Sequence, residues 1–221
     1  MPEKPRVKAP TKRTTVDPEA SARKRRILFI VGGAGIALIA LVVVVGFLGF
    51  GGGGADEEST RADLEAAGCT LQVETAGPAQ HSVMDPGGTS DKWNTDPPTS
   101  GPHYGEAAIF GAYDEPLEQG RVVHNLEHGG VFIQYGEDVP ESTVAELRGF
   151  YEDHKTGTIM APLPRLGDEI ALGAWVAEGE EAKGYVAKCK AFDEGAFSAF
   201  LDAFQFKGPE RFDPSQLQPG S

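Results

Sequence analysis

Cysteine is nearly missing from this chain. Its 221 residues hold two, Cys69 and Cys189, with no C-x-x-C pair, which argues against a disulfide-exchange activity. No G-x-x-x-x-G-K loop is present to cradle phosphate, and Ser100 in PPTSGPH lacks a G-x-S-x-G elbow after a strand, so neither a P-loop enzyme nor a serine hydrolase of that kind is indicated. Internal repeats are absent, as is the strand–helix alternation of a doubly wound sheet. Charge of either sign is missing from Ile27 to Phe50, ILFIVGGAGIALIALVVVVGFLGF. Positive charge is scarce beyond it. The chain has a net charge of −13, and residues 1–50 contribute nine basic against three acidic residues, so 51–221 carry −19. A domain this acidic repels phosphates, which excludes nucleic acid as a partner of any broad surface but leaves cation binding open.

The uncharged stretch is long enough to cross a hydrocarbon core, which takes about 20 apolar residues, and it has no polar stripe. A signal peptide has a shorter apolar region, about 7–15 residues, and a small-residue cleavage site, which does not follow here. The pattern therefore predicts a single-pass transmembrane helix over 27–50. Its N-terminal flank ends in Arg23–Lys24–Arg25–Arg26, while GGGG, Ala55, Asp56, Glu57 and Glu58 follow it, so the N-terminus is expected in the cytoplasm and the remainder outside. Residues 1–26, rich in Pro, Lys, Arg and Thr, read as a disordered basic tail beside anionic lipid heads. The membrane is thus an expected partner; no protein partner is indicated. Outside the membrane thiols tend to pair, so a Cys69–Cys189 disulfide is expected, against the alternative of two free buried thiols.

Residues 51–56 read as a Gly-rich linker, 57–210 as one outer domain and 211–221 as a C-terminal tail. EESTRADLEAA (57–67) reads as a helix stopped by Gly68, and LQVET (71–75) as a strand. From Gly77 to Tyr113 the chain is dominated by Gly, Pro, Ser, Thr and Asp. Its embedded Trp93, His103, Tyr104 and Phe110 argue for a packed loop. VFIQY (131–135), TIMAP (158–162) and IALGAWV (170–176) read as strands. Pro140–His154 reads as a helix with Thr143 and Glu146 placed as a capping box, and Phe197, Phe200, Leu201 and Phe204 give a last amphipathic helix. The expected class is α+β: one compact extracytoplasmic domain with a small, mostly antiparallel sheet, two or three helices and a long Pro/Gly-rich loop, after a single transmembrane helix.

NTDPPTSGPHYG (94–105), VVHNLEHGGVFIQY (122–135), the Pro162/Pro164 pair followed by ALGAW (171–175), and GPE (208–210) resemble the domain-of-unknown-function 3105 family. Gly68–Cys69 and His81 fit its placement too. The resemblance covers about residues 60–210. It implies a bacterial, often actinobacterial, membrane-anchored outer domain and brings no established reaction.

Four of the five histidines, His81, His103, His124 and His128, fall within the loop and the HNLEH segment. His154 sits near a helix C-terminus, where the dipole explains it. His124 and His128 share a face if 124–128 is helical, and PPTSGPH and His81 can present imidazoles opposite. Three or four imidazoles suit copper or zinc. Met84 and Met160 could add thioethers, although methionine more often fills core gaps. Structural histidines that fix loops are the alternative. A third reading takes H-x-x-E-H as an inverted zincin with Glu127 as general base, but two short turns before Gly129–Gly130 are little room for it. Glu127 reads rather as a partner for a histidine N–H, and the residues lean against an enzyme. A cell-surface interaction domain would expose Trp93, Tyr104, Phe110 and Tyr113 in one patch, whereas a metal site would bring histidine nitrogens together.

Overall fold

The structure, a computed structural model, describes residues 54–82, 90–178 and 181–221. The expected tail (1–26), the expected transmembrane helix (27–50), the start of the linker and Met84 lie outside these residues. Among the described residues no helix is long and apolar enough to cross a membrane.

The domain is α+β. Helix α1 (Gly54–Ala66) leads into β1 (Thr70–Thr75). After the long loop come α2 (Gln119–Glu127), β2 (Val131–Tyr135), α3 (Glu141–Asp153), β3 (Thr158–Pro162), β4 (Ile170–Glu178), β5 (Glu181–Cys189) and α4 (Glu194–Phe204). The five strands form one mixed sheet in the order β1-β5-β4-β2-β3. Three of its pairings are antiparallel, and β2 pairs with β3 in parallel through the α3 crossover. Among the described residues four α-helices stand where two or three were expected. The additional one is α2, and strand β5 was likewise not expected.

Strand β4 shows how the sequence builds two buried faces. Ile170, Leu172, Ala174 and Val176 join a core with Leu64 of α1, Leu147 and Phe150 of α3, and Phe197, Phe200 and Phe204 of α4. The intervening Ala171 and Trp175 join a second cluster with Val122, Val123 and Leu126 of α2. Side chains alternate across a strand, so one apolar run serves both layers. Nine residues are too few for a stable isolated helix. Tertiary burial holds α2 instead: Val122, Val123 and Leu126 are each at most 1% exposed, and each such side chain contributes about 1.5–3 kcal/mol.

Helix α1 ends as expected at Gly68, with φ of +77°; the Cys69 N–H donates to Leu64 O and the Gly68 N–H to Glu65 O. The capping box expected at Thr143 and Glu146 is not formed. Pro140 occupies the N-cap and the helix begins at Glu141, which leaves Thr143 inside the first turn. At α4 the Asp193 side chain accepts the Ala196 N–H. Residues 211–221, expected as a tail, pack on the domain. Leu217 is buried, its carbonyl accepts the Gly157 N–H, and the Phe110 N–H donates to Ser221 O.

Cys69 and Cys189 form a disulfide that joins the start of β1 to the end of β5, closing a separation of 120 residues. Cross-linking so long a loop restricts the unfolded chain. Replacing both cysteines with alanine is expected to cost roughly 2–4 kcal/mol, read in urea as a lower midpoint with a somewhat steeper slope, since the freed unfolded chain exposes more surface.

Candidate metal centre

The C-terminal turn of α2 carries the centre. His124 and Glu127 face the 77–113 loop, and His128 is the C-cap. The negative end of the helix dipole therefore points at this spot, which favours a cation. Asn125, buried in the same turn, accepts the Ala108 N–H at 2.9 Å and donates to Ala108 O at 2.7 Å, so the helix holds the loop as a strand neighbour would.

The loop supplies two more histidines by a short main-chain bridge. The His103 N–H donates to Gln80 O and the Ser82 N–H to His103 O, which sets His81 beside His103. Trp93 Nε1 donates to Pro102 O at 3.0 Å and Thr95 bonds Thr99, fixing the PPTSGPH turn. The rings of His81, His103 and His124 lie 4.7–5.1 Å apart, and the His103 ring meets the edge of Trp175 in β4.

Glu127 is at the middle of this group. Its Oε2 lies 3.0 Å from His103 Nε2 and 3.3 Å from His81 Nε2. One ligand atom each from His81, His103, His124 and Glu127 fall within 4.8 Å of one another. Donors about 2.0–2.2 Å from one ion sit about 3–3.5 Å apart, so these contacts match ligand-to-ligand spacing as well as hydrogen-bond spacing.

The proton count shows what must lie between them. His103 Nδ1 lies 2.7 Å from Gly101 O and His124 Nδ1 lies 2.7 Å from Tyr104 O. A carbonyl only accepts, so both Nδ1 atoms carry a proton, and each ring in its neutral form turns an Nε2 lone pair toward the group. In that form His103 Nε2 and the Glu127 oxygen are two acceptors, and a cation must lie between them. Burial raises the Glu127 pKa, but the His103 and His81 rings directed at its oxygen outweigh this and hold it at about 2. A buried, ionised carboxylate thus draws a cation to this point, either a proton on His103 Nε2 or a metal ion in its place. Burial pushes His124 and His128 below the ordinary histidine value, which keeps them in the neutral form that ligates. Ring nitrogens tied to backbone carbonyls are also how metal-binding histidines are commonly oriented.

Access to the group is uneven. The His103 side chain is fully buried, whereas that of His81 is 52% exposed and lines an open cleft of about 570 Å³ with Tyr104, Glu106 and Arg121. Arg121 sits over the Tyr104 ring and pairs with Glu118 and Glu106.

The four histidines singled out from the sequence all gather around Glu127, though not equally. His128 stands at the margin of the four-residue set. Its Nε2 is 3.0 Å from His124 Nε2 and 3.5 Å from Glu210 Oε2. Glu127, read from the sequence as a supporting partner or a general base, offers its carboxylate directly to the group. Glu210 was not singled out, although the GPE motif marks its position. The segment 206–212 lies along the end of α2: the Phe206 N–H donates to Gly129 O and the Glu210 N–H to Glu127 O. A Cβ at Gly208 would come within 2.3 Å of Glu127 O, so only glycine allows this close approach. Met160 packs in the main core and takes no part. His154 donates from Nδ1 to Phe150 O at the end of α3, as a helix-end histidine should. Of the aromatic residues of the loop, Phe110 is buried and Trp93, Tyr104 and Tyr113 are half-buried.

No curated protein and no solved structure matches the chain. The family model described as protein of unknown function (DUF3105) matches residues 87–216, which is more than half of the chain's length and includes His103, His124, Glu127, His128 and Glu210. The chain belongs to the DUF3105 family.

Proposed function

We propose that this chain is a membrane-anchored protein, N-terminus in the cytoplasm, whose outer domain binds a transition metal ion, copper or zinc, through His81, His103, His124 and Glu127. The observation that supports it most is the convergence on the buried Glu127 carboxylate of His103 and His124, whose Nδ1 atoms are both tied to backbone carbonyls so that their Nε2 atoms are turned toward the group. Three imidazole nitrogens and one carboxylate oxygen suit Zn(II) or Cu(II), and no thiolate or thioether among the described residues joins them to favour Cu(I). The ion would neutralise the buried carboxylate and tie α2 to the 77–113 loop. The anchor rests on the uncharged run 27–50 and the basic residues before it.

The test is the metal content of the full chain extracted from its own envelope in detergent, without chelator or histidine tag. Bound copper or zinc that is absent from a folded His103→Gln/His124→Gln variant is the expected result. A chain that carries neither metal and takes up neither when supplied would make the histidines loop fasteners.

A further inference from the structure

Glu127 belongs to two groups. Besides its place among His81, His103 and His124, its carboxylate lies with His128 and Glu210, one ligand atom from each within 4.8 Å of the others. We propose that a second divalent transition metal ion binds between Glu127, His128 and Glu210, with the Glu127 carboxylate bridging the two ions. This inference rests on the reading of the first site given above.

Three features carry it. Glu210 is held at the main chain, since its N–H donates to Glu127 O at 2.9 Å, and the missing Cβ of Gly208 allows that approach. The 3.5 Å separation of Glu210 Oε2 from His128 Nε2 is long for a hydrogen bond but suits two donors sharing an ion. Finally, the His128 ring is held between two others: Phe212 packs on it with centroids 4.0 Å apart and His124 meets it edge-on at 4.5 Å. A cleft of about 230 Å³ lined by Phe110, Asn125 and Phe212 reaches the same ring from outside.

The two sites load in order. With a proton on His124 Nδ1, the 3.0 Å contact between the His124 and His128 Nε2 atoms requires His128 Nε2–H as donor. Once His124 gives its lone pair to the first ion, His128 loses that acceptor, and a shift of its proton to Nδ1 frees Nε2 for the second. The acidic surroundings favour both cations.

The experiment is a Co(II) titration of the chelator-treated full chain in detergent, followed by visible absorption and magnetic measurement, with Glu210→Gln and His128→Gln beside it. Near-ultraviolet circular dichroism checks that the variants fold. The wild-type chain is expected to bind about two equivalents in successive steps with magnetic coupling through the shared carboxylate. Each variant should keep the first step and lose the second together with the coupling. One equivalent in all three proteins overturns the second site and leaves the first intact. Two equivalents that persist in Glu210→Gln overturn its placement, and no binding by the wild type overturns both sites.

Discussion

Glu127→Gln is expected to lower metal affinity by more than about 100-fold, because losing an outer-shell partner already costs about 10–100-fold and this change removes a ligand. The substitution keeps the volume of the side chain and its capacity to hydrogen-bond, so the helix turn should stay folded. What it removes is the charge. The carboxylate is buried and stays ionised down to about pH 2, and both His103 and His81 direct their Nε2 atoms at its Oε2. Without that anion three imidazoles remain, and no ligand charge balances a divalent ion on the buried side of the group. Isothermal titration with Zn(II) or Cu(II) reads the effect. Glu127→Asp, which retains the charge but withdraws the oxygen, should fall between. Equal affinities in wild type and Glu127→Gln would show that the carboxylate is not a ligand.

The second large effect is a difference between two histidines. His103 is held on both nitrogens: Nδ1 donates to Gly101 O, Nε2 meets Glu127, and the ring is buried against Trp175. His81 is half exposed, and among the described residues its only polar partner is Glu127. A ligand that is already oriented gives up less freedom on binding, so His103 should contribute more. His81→Gln is expected to weaken binding about 10–100-fold, while His103→Gln weakens it further. His103→Ala should in addition destabilise the fold by about 1–3 kcal/mol, since the Gly101 carbonyl loses its partner and the buried Glu127 oxygen loses the nearer of its two. Urea unfolding of the metal-free variants measures the second quantity, and the titration measures the first. Equal losses for His81 and His103 would contradict the unequal anchoring.

How far the residues announced this arrangement depends on which forces set each part. The strands 131–135 and 158–162 and the helices at 140–154 and 197–204 follow from local apolar patterns, and their ends shift by only a few residues. Cys69 and Cys189 pair as expected. Strand β5 is harder to see, since EAKGYVAKC mixes lysines, a glycine and a glutamate with its apolar residues, and its pairing with β1 and β4 comes from the sheet. Helix α2 has no side-chain N-cap and closes on a glycine pair, so local signals make it look like a turn. Only the burial of Val122, Val123 and Leu126 against β4 and β2 makes it a helix.

The same division applies to the site. Histidine spacing pointed to His124 and His128, because i and i+4 meet on one helix face. That His81 would lie beside His103 depends on a two-bond main-chain bridge, and such contacts leave no side-chain pattern to read. Glu127 looked like a supporting residue because HNLEH was compared with a motif in which the two histidines bind and the glutamate does not. The loop histidines approach from the side of Glu127, which places its carboxylate among them as well as within hydrogen-bond reach of His103. Glu210 is distant in sequence and exposed; a motif of three letters marked it, and the fold of the C-terminal segment gives it a neighbour.

The most direct test of the central claim is the anomalous scattering of a crystal of the chain purified without chelator, measured on both sides of the copper and zinc absorption edges. An anomalous peak enclosed by His81 Nε2, His103 Nε2, His124 Nε2 and Glu127 Oε2, rising at one of those edges, is the expected result. Clear density for the four side chains with no anomalous peak, and with a water or a direct hydrogen bond between His103 and Glu127, would contradict it.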